Sequence, residues 1–224
     1  MANFHNSNKN NDLTNDVEER LLNVAEELFS QQGFDGTSVR DITTQASCNV
    51  AAVNYHFSGK DNLYVEVFRR RMAMLRDNRI ASIEMVMSEQ ETPAALEKLL
   101  RAFANAFLKP FVDRSKGRRF LKLMAREMVE RHLPKSMFAE VVVRPVMGAL
   151  QAALTRTLPG LEESKAQLCI LSVVGQLVHW IQAREIFHED TGAKLPIPDV
   201  ADVIEHIVKF SVAGIEAYSE EQKA

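Results

Sequence analysis

The chain is poor in cysteine: it has only Cys48 and Cys169, far apart and in no CxxC pair. That excludes a disulfide framework and a cysteine-rich zinc site, and it fits a reducing compartment. Nine glycines and seven prolines in 224 residues argue against a loop-rich fold. No apolar run reaches the roughly 18–20 residues that span a bilayer. The N-terminus, MANFHNSNKNNDLTND, lacks the apolar core of a signal peptide, so the cytoplasm is the expected location and no membrane partner is expected. Basic excess is missing as well. The net charge is −3, and residues 1–60 set Lys9, Arg20, Arg40 and Lys60 against eight acids, for −4. Any affinity for nucleic acid must therefore come from where charges sit. Gly-rich phosphate loops, HExxH and nucleophile elbows are absent too, so neither cofactor nor catalytic residue is expected.

What is present is helical periodicity throughout. Residues 17–32 place Val17, Leu21, Leu22, Ala25, Leu28 and Phe29 near helical spacing, with Glu18 and Glu19 in the first turn and Gly33 as a stop. Residues 38–46 form a short helix in which Ser38 and Asp41 make a capping box. A turn at 47–49 leads to a second short helix, 50–57, and Ser58 is placed to cap the next, which begins near Gly59. A long helix followed by two short ones across a tight turn is the helix-turn-helix pattern. Its last member, NVAAVNYHFSGK, has no acid at all. A groove lined with phosphates repels carboxylates. It admits Ala methyls and Asn amides to base edges, and Tyr, His and Lys to phosphates.

GFDGTSVRDITTQASCNVAAVNYHFSGKDNLY resembles the DNA-binding domain of the TetR family of bacterial regulators, over about residues 17–66. The shared features are a Gly-aromatic after the first helix, Thr-Ser-x-Arg-Asp-Ile, and Tyr-His-Phe-x-x-Lys. The AAVNYHF form is most similar to a branch whose larger domain resembles that of the CecR and PsrA regulators. The resemblance implies DNA contacts from Ser38, Arg40, Asn49, Val50, Ala51, Ala52, Asn54, Tyr55, His56 and Lys60, with Lys60 the strongest phosphate contact. Ser47 departs from the family, which usually has glycine there; a left-handed serine costs about 1 kcal/mol more.

The rest reads as long helices: 60–88, 93–112 starting at Pro93, 116–132, 135–158 kinked or split at Pro145, 162–189 and 198–218. Arg69, Arg70, Arg71, Arg76 and Arg79 read as a solvated, salt-bridged face. The expected organisation is all-α: a disordered tail over 1–15, a DNA-binding domain over 16–62, a ligand-binding and dimerisation domain over 63–219, and a tail over 220–224. The last two helices are apolar on more than one face, which suggests burial against a second copy through Leu171, Val174, Gly175, Val178, Ile204, Ile207, Val208 and Ser211. Phe103, Phe107, Met124, His179, Trp180 and Arg184 are candidates to line an effector pocket.

Two rivals remain open at this level. Glu185-x-x-His188 has the spacing of a di-metal helix, but that chemistry needs a second such motif and two more Glu. A helical adaptor without DNA would leave the acid-free segment unexplained. The expectation is a dimeric, ligand-responsive DNA-binding regulator, most simply a repressor, that binds a double-stranded operator and needs no metal.

Overall fold

A computed structural model describes residues 5–89, 95–112, 116–189 and 198–221, excepting the side chains of 5–15, 116, 185–189 and 219–221. The fold is all-α: helices α1 (His5–Gln32), α2 (Val39–Gln45), α3 (Val50–Phe57), α4 (Lys60–Ser88), α5 (Ala95–Val112), α6 (Lys116–Glu130), α7 (Arg144–Thr157), α8 (Glu163–Glu189) and α9 (Val200–Glu221), with a π-helical turn, Ala139–Val143, before α7. The Asn-rich segment is helical from His5, where a disordered tail is expected. Neither glycine nor proline interrupts His5–Gln32, and each residue added to a formed helix gains a hydrogen bond. Residues 1–4, Pro93 and residues 222–224 lie outside the described residues; α9 runs to Glu221, into the expected C-terminal tail.

The chain divides into two compact units, one from Met1–Met72 with Ser115–Met137, the other from Ala73–Arg114 with Phe138–Ala224. This differs from a boundary at residue 62, because α6 packs on α1 within the first unit. An amphipathic stripe does not name its partner. That unit is built on aromatics. Tyr64 meets Phe29 at 4.9 Å and Phe34 at 5.1 Å, both edge-on, and Phe68 at 5.0 Å. Its hydroxyl donates to Glu127 of α6 at 3.0 Å. Burial, followed by the Glu127 charge, pushes its phenol well above the ordinary range. Gly33 ends α1 at φ +78°, and a Cβ there would lie 2.9 Å from the Arg126 guanidinium.

One acid of this unit is almost wholly buried. Glu26 on α1 is 1 % exposed, and Arg71 Nε and Nη2 reach its carboxylate at 2.8 and 2.6 Å, Arg70 at 3.2 Å. So Arg70 and Arg71 are not part of a solvated face. Arg69 with Glu66 and Arg76 with Asp77 are ordinary surface pairs.

In the second unit α5 packs on α9, α8 and α7. Leu99, Phe103, Ala104, Leu108, Leu150, Ala166 and Leu177 are buried there. The π turn falls immediately before Pro145 at the start of α7. Proline has no N–H and crowds the preceding turn, so the helix is split there. Glu163–Arg184 is long and apolar enough by composition to cross a membrane, with mean hydropathy 1.3, although only 33 % of it is buried. Interspersed Ser, Gly and Gln break any continuous apolar run. Its unburied share is the face described below.

Candidate nucleic-acid interface

Local chemistry positions the two short helices. Ser38 Oγ accepts the Asp41 N–H at 3.1 Å, and Asp41 Oδ2 accepts the Ser38 N–H at 3.2 Å, closing the expected capping box. The Ser38 hydroxyl and N–H both donate to the Asp41 carboxylate and hold it below the usual carboxylate range. Asn49 caps α3, its Oδ1 accepting from Ala51 N–H at 2.9 Å. Val53 and Phe57 face inward with Ile42 and Ala46. This alternation turns Val50, Ala51, Asn54 and Tyr55 outward; Tyr55 is 80 % exposed.

Ser47 sits between the helices at φ +53°. The left-handed turn that usually takes glycine is therefore kept despite the side chain. Ser47→Gly is expected to raise the unfolding free energy by about 0.5–1 kcal/mol, read as a melting temperature a few degrees higher. An unchanged or lower value would mean that the serine is unstrained. Ser58 opens the break expected after α3 and is its left-handed C-cap at φ +59°, its N–H donating to Asn54 O; it differs from expectation only in not opening α4, which begins at Lys60.

Within the expected DNA face, Arg40 is exposed and pairs with no acid among the described residues. Asn49, Val50, Ala51, Asn54 and Tyr55 are exposed beside it, and Ala52 is half-buried. The Ser38 hydroxyl is spent on the cap. The His56 side chain is 8 % exposed, 3.7 Å from Glu18 and edge-on to Tyr55, which makes it a brace for α3 and leaves little of it to reach a phosphate. Lys60 is also partly engaged. Its ammonium donates to Phe34 O at 2.9 Å and Thr37 O at 3.1 Å and lies over the Phe34 ring. Two of its three donors are used, and one remains. Thr44 and Gln45, at the end of α2, are exposed as well. Their exposed positions in the TTQ run were the available signal. Cys48 is half-buried, with its thiol on Ala46 O.

The other expected sites need correction. Ile204, Ile207, Val208 and Ser211 are buried within the second unit and cannot meet a second copy. The outer face of α9 carries His206, Phe210, Ala213, Gly214, Ala217 and Tyr218 instead. On α8, Leu171, Gly175 and Val178 are exposed as expected, with Leu168; Val174 is half-buried. Of the effector candidates, Phe103 and Phe107 are buried in the second unit. Met124 lies on α6 in the first unit, and His179 is exposed. Trp180 Nε1 is buried without a partner among the described residues. Arg184 donates to Phe111 O at 3.0 Å and lies over the Trp180 ring. Arg79, expected on a solvated face, is buried with no acid beside it among the described residues; its register with Leu75 and Ile83, one turn to each side, was the missed signal. The side chains of Glu185 and His188 lie outside the described residues.

Residues 21–67 match the model for bacterial regulatory proteins of the tetR family, and residues 96–215 match that for the C-terminal domain of the HTH-type transcriptional dual regulator CecR. The HTH-type transcriptional regulator YttP of Bacillus subtilis is 32 % identical over 85 residues, 38 % of this chain and 39 % of YttP. IcaR of Staphylococcus epidermidis, a negative transcriptional regulator of the biofilm operon icaADBC, is 31 % identical over 48 residues, 21 % of this chain and 26 % of IcaR. The chain thus spans two fifths or less of these relatives' length. A crystal structure from Mesorhizobium loti, described as a TetR-family transcriptional regulator, shares the fold with a TM-score of 0.66 at 18 % identity, covering 92 % of this chain and 98 % of that one.

Proposed function

The chain belongs to the TetR family of bacterial transcriptional regulators and is a DNA-binding regulator, not an enzyme; from that premise we propose that it is a homodimeric repressor released from a near-palindromic operator by a small apolar or amphipathic effector. Each α3 enters one major groove, with half-sites about one helical turn apart. The observation that carries this reading is the outward strip of α3. Val50, Ala51, Asn54 and Tyr55 are exposed in one acid-free run, and Arg40 on α2 is exposed with no acid paired to it among the described residues.

Asn54 reads a base edge, where an amide can pair with adenine. Arg40, Tyr55, the Asn49 amide and the last donor of Lys60 hold phosphates, together with the α4 N-terminal N–H groups. The DNA places the protein's work in the cytoplasm. Two glycines support pairing through α8 and α9. A Cβ on Gly175 or Gly214 would meet nothing within 4 Å, so packing within the protomer does not need them. Mid-helix glycine costs about 1 kcal/mol relative to alanine, and close approach by another helix is a use that explains both. An effector acts only by favouring one of two states. The lever is α4, which begins in the first unit and ends in the second.

Selection from a random DNA pool by the purified protein, at two salt concentrations, tests the reading. An enriched inverted repeat supports it; no enrichment by folded, dimeric protein opposes it. With the selected operator, Asn54→Ala is expected to cost about 1–3 kcal/mol and to relax preference at one base pair per half-site. An equal loss on every sequence would make Asn54 a phosphate contact.

A further inference from the structure

Arg79 is a buried cation with no acid to balance it among the described residues. It stands on α4 one turn from Leu75 and one turn from Ile83, both buried, and is itself only 5 % exposed. Its guanidinium carbon lies 3.8 Å from the centroid of the Phe107 ring. Its Nε–H is buried without an acceptor, and it forms no ion pair among the described residues. Glu26 is as deeply buried in the first unit, but two arginines meet it. Among the described residues, then, buried charge is compensated in the first unit and left open here.

Neutralisation does not resolve the imbalance. Burial pushes the Arg79 guanidinium down to about 10, which still leaves it charged at neutral pH. Stacking on Phe107 attracts the cation to the ring face but accepts no hydrogen bond, and the Nε–H stays buried without an acceptor among the described residues. A charge taken out of water without a hydrogen-bonded partner is strongly unfavourable. The cation is suited to an acceptor from outside the chain.

We propose that the second unit binds a monoanionic carboxylate carried on an apolar body, the carboxylate pairing with Arg79 and the body lying against Phe103 and Phe107. One cation balances one charge, so a dianionic phosphate would bring a second, unmatched charge. A planar carboxylate also fits the guanidinium fork through two parallel hydrogen bonds. The apolar body follows from the surroundings: Arg79 lies over the Phe107 ring, which meets the Phe103 ring at 5.8 Å, and Leu75 and Ile83 flank it on α4, all buried and apolar. A small hydrated anion would lose its water there without burying any apolar surface in return. This rests on reading the second unit as the effector domain, and it names the effector's class. Arg79 lies on the same helix whose first residues open the DNA-binding unit after α3, so the anion would act directly on the lever.

The test uses the full chain as wild type, Arg79→Met and Arg79→Lys. The probes are straight-chain carboxylates from hexanoate to palmitate, 2-naphthoate, and the primary alcohols of matched length. Trp180, the chain's single tryptophan, reports binding by fluorescence, and melting temperature reports it independently. Wild type is expected to bind at least one carboxylate at least 100-fold more tightly than its matched alcohol. Arg79→Met should lose that preference, keep the alcohol affinity and melt higher when free; Arg79→Lys should retain part of the preference. Equal affinity for acid and alcohol, carboxylate binding undiminished in Arg79→Met, or no carboxylate bound by wild type would each overturn the proposal. Binding to the selected operator without any probe is measured in parallel. Loss there in wild type is a failure of the regulatory reading and leaves the anion result standing.

Discussion

Phe210→Asp is expected to convert the protein into monomers at micromolar concentration. Phe210 is 65 % exposed in the protomer, with the His206 ring stacked beside it at 6.2 Å. Aspartate there leaves the protomer's core intact. In a two-fold dimer through α8 and α9 the substitution appears twice, and each copy places an unpaired carboxylate among Leu168, Leu171, Val178 and Tyr218. Several kcal/mol per ion amounts to about 4–8 kcal/mol for the pair, or about a thousandfold to nearly a millionfold in the dimer dissociation constant. Operator binding should fall with it, because a monomer holds only one half-site. Sedimentation equilibrium reads the association and circular dichroism the fold. A Phe210→Asp protein that remains dimeric would move the interface off α8 and α9.

The second large effect concerns the first unit. Glu26→Gln should lower the unfolding free energy by about 3–5 kcal/mol. Glu26 is 1 % exposed, while Arg70 and Arg71 retain 24 % and 17 % of their side-chain exposure. Removing the acid leaves two guanidinium groups facing a neutral amide. Native domains are stable by only about 5–15 kcal/mol, so much of the DNA-binding unit's stability is at stake. Replacing the whole cluster, Glu26→Leu with Arg70→Met and Arg71→Leu, should recover most of the loss, because no buried charge is then stranded. Urea denaturation of the three proteins separates the cases. A loss under about 1 kcal/mol for Glu26→Gln would show that water reaches the cluster freely.

Much of this molecule was legible because its signals are local. Gly33, the Ser38–Asp41 box, Asn49 and Pro145 each act on the backbone within a few residues, so helix limits followed closely. The outward strip of α3 was legible too, since Val53 and Phe57 leave no other face for Asn54 and Tyr55. What could not be read depends on partners distant in sequence. On α9, Ile207 and Phe210 are equally apolar, and only the packing of α5 and α8 decides which is inside. Lys60 looked free because the carbonyls that hold it, Phe34 and Thr37, belong to a loop 23–26 residues earlier. Met124 lies in the first unit because α6 packs on α1, a choice its stripe does not encode. Arg79 was grouped with surface arginines although its register with Leu75 and Ile83 pointed inward.

The chain passes between its two units three times, within α4 and on either side of α6. The reading head is consequently not a detachable module. A fragment ending at Met72 would lack Phe120, Leu123 and the Glu127 carboxylate that accepts from Tyr64, and its aromatic core would open to water. A chimera that grafts this specificity onto another effector domain has to carry Ser115–Met137 along with Met1–Met72. Recombination at a single crossover cannot deliver both. Descendants of this chain would therefore be expected to acquire new operators by point substitution along α3 more readily than by exchange of whole domains.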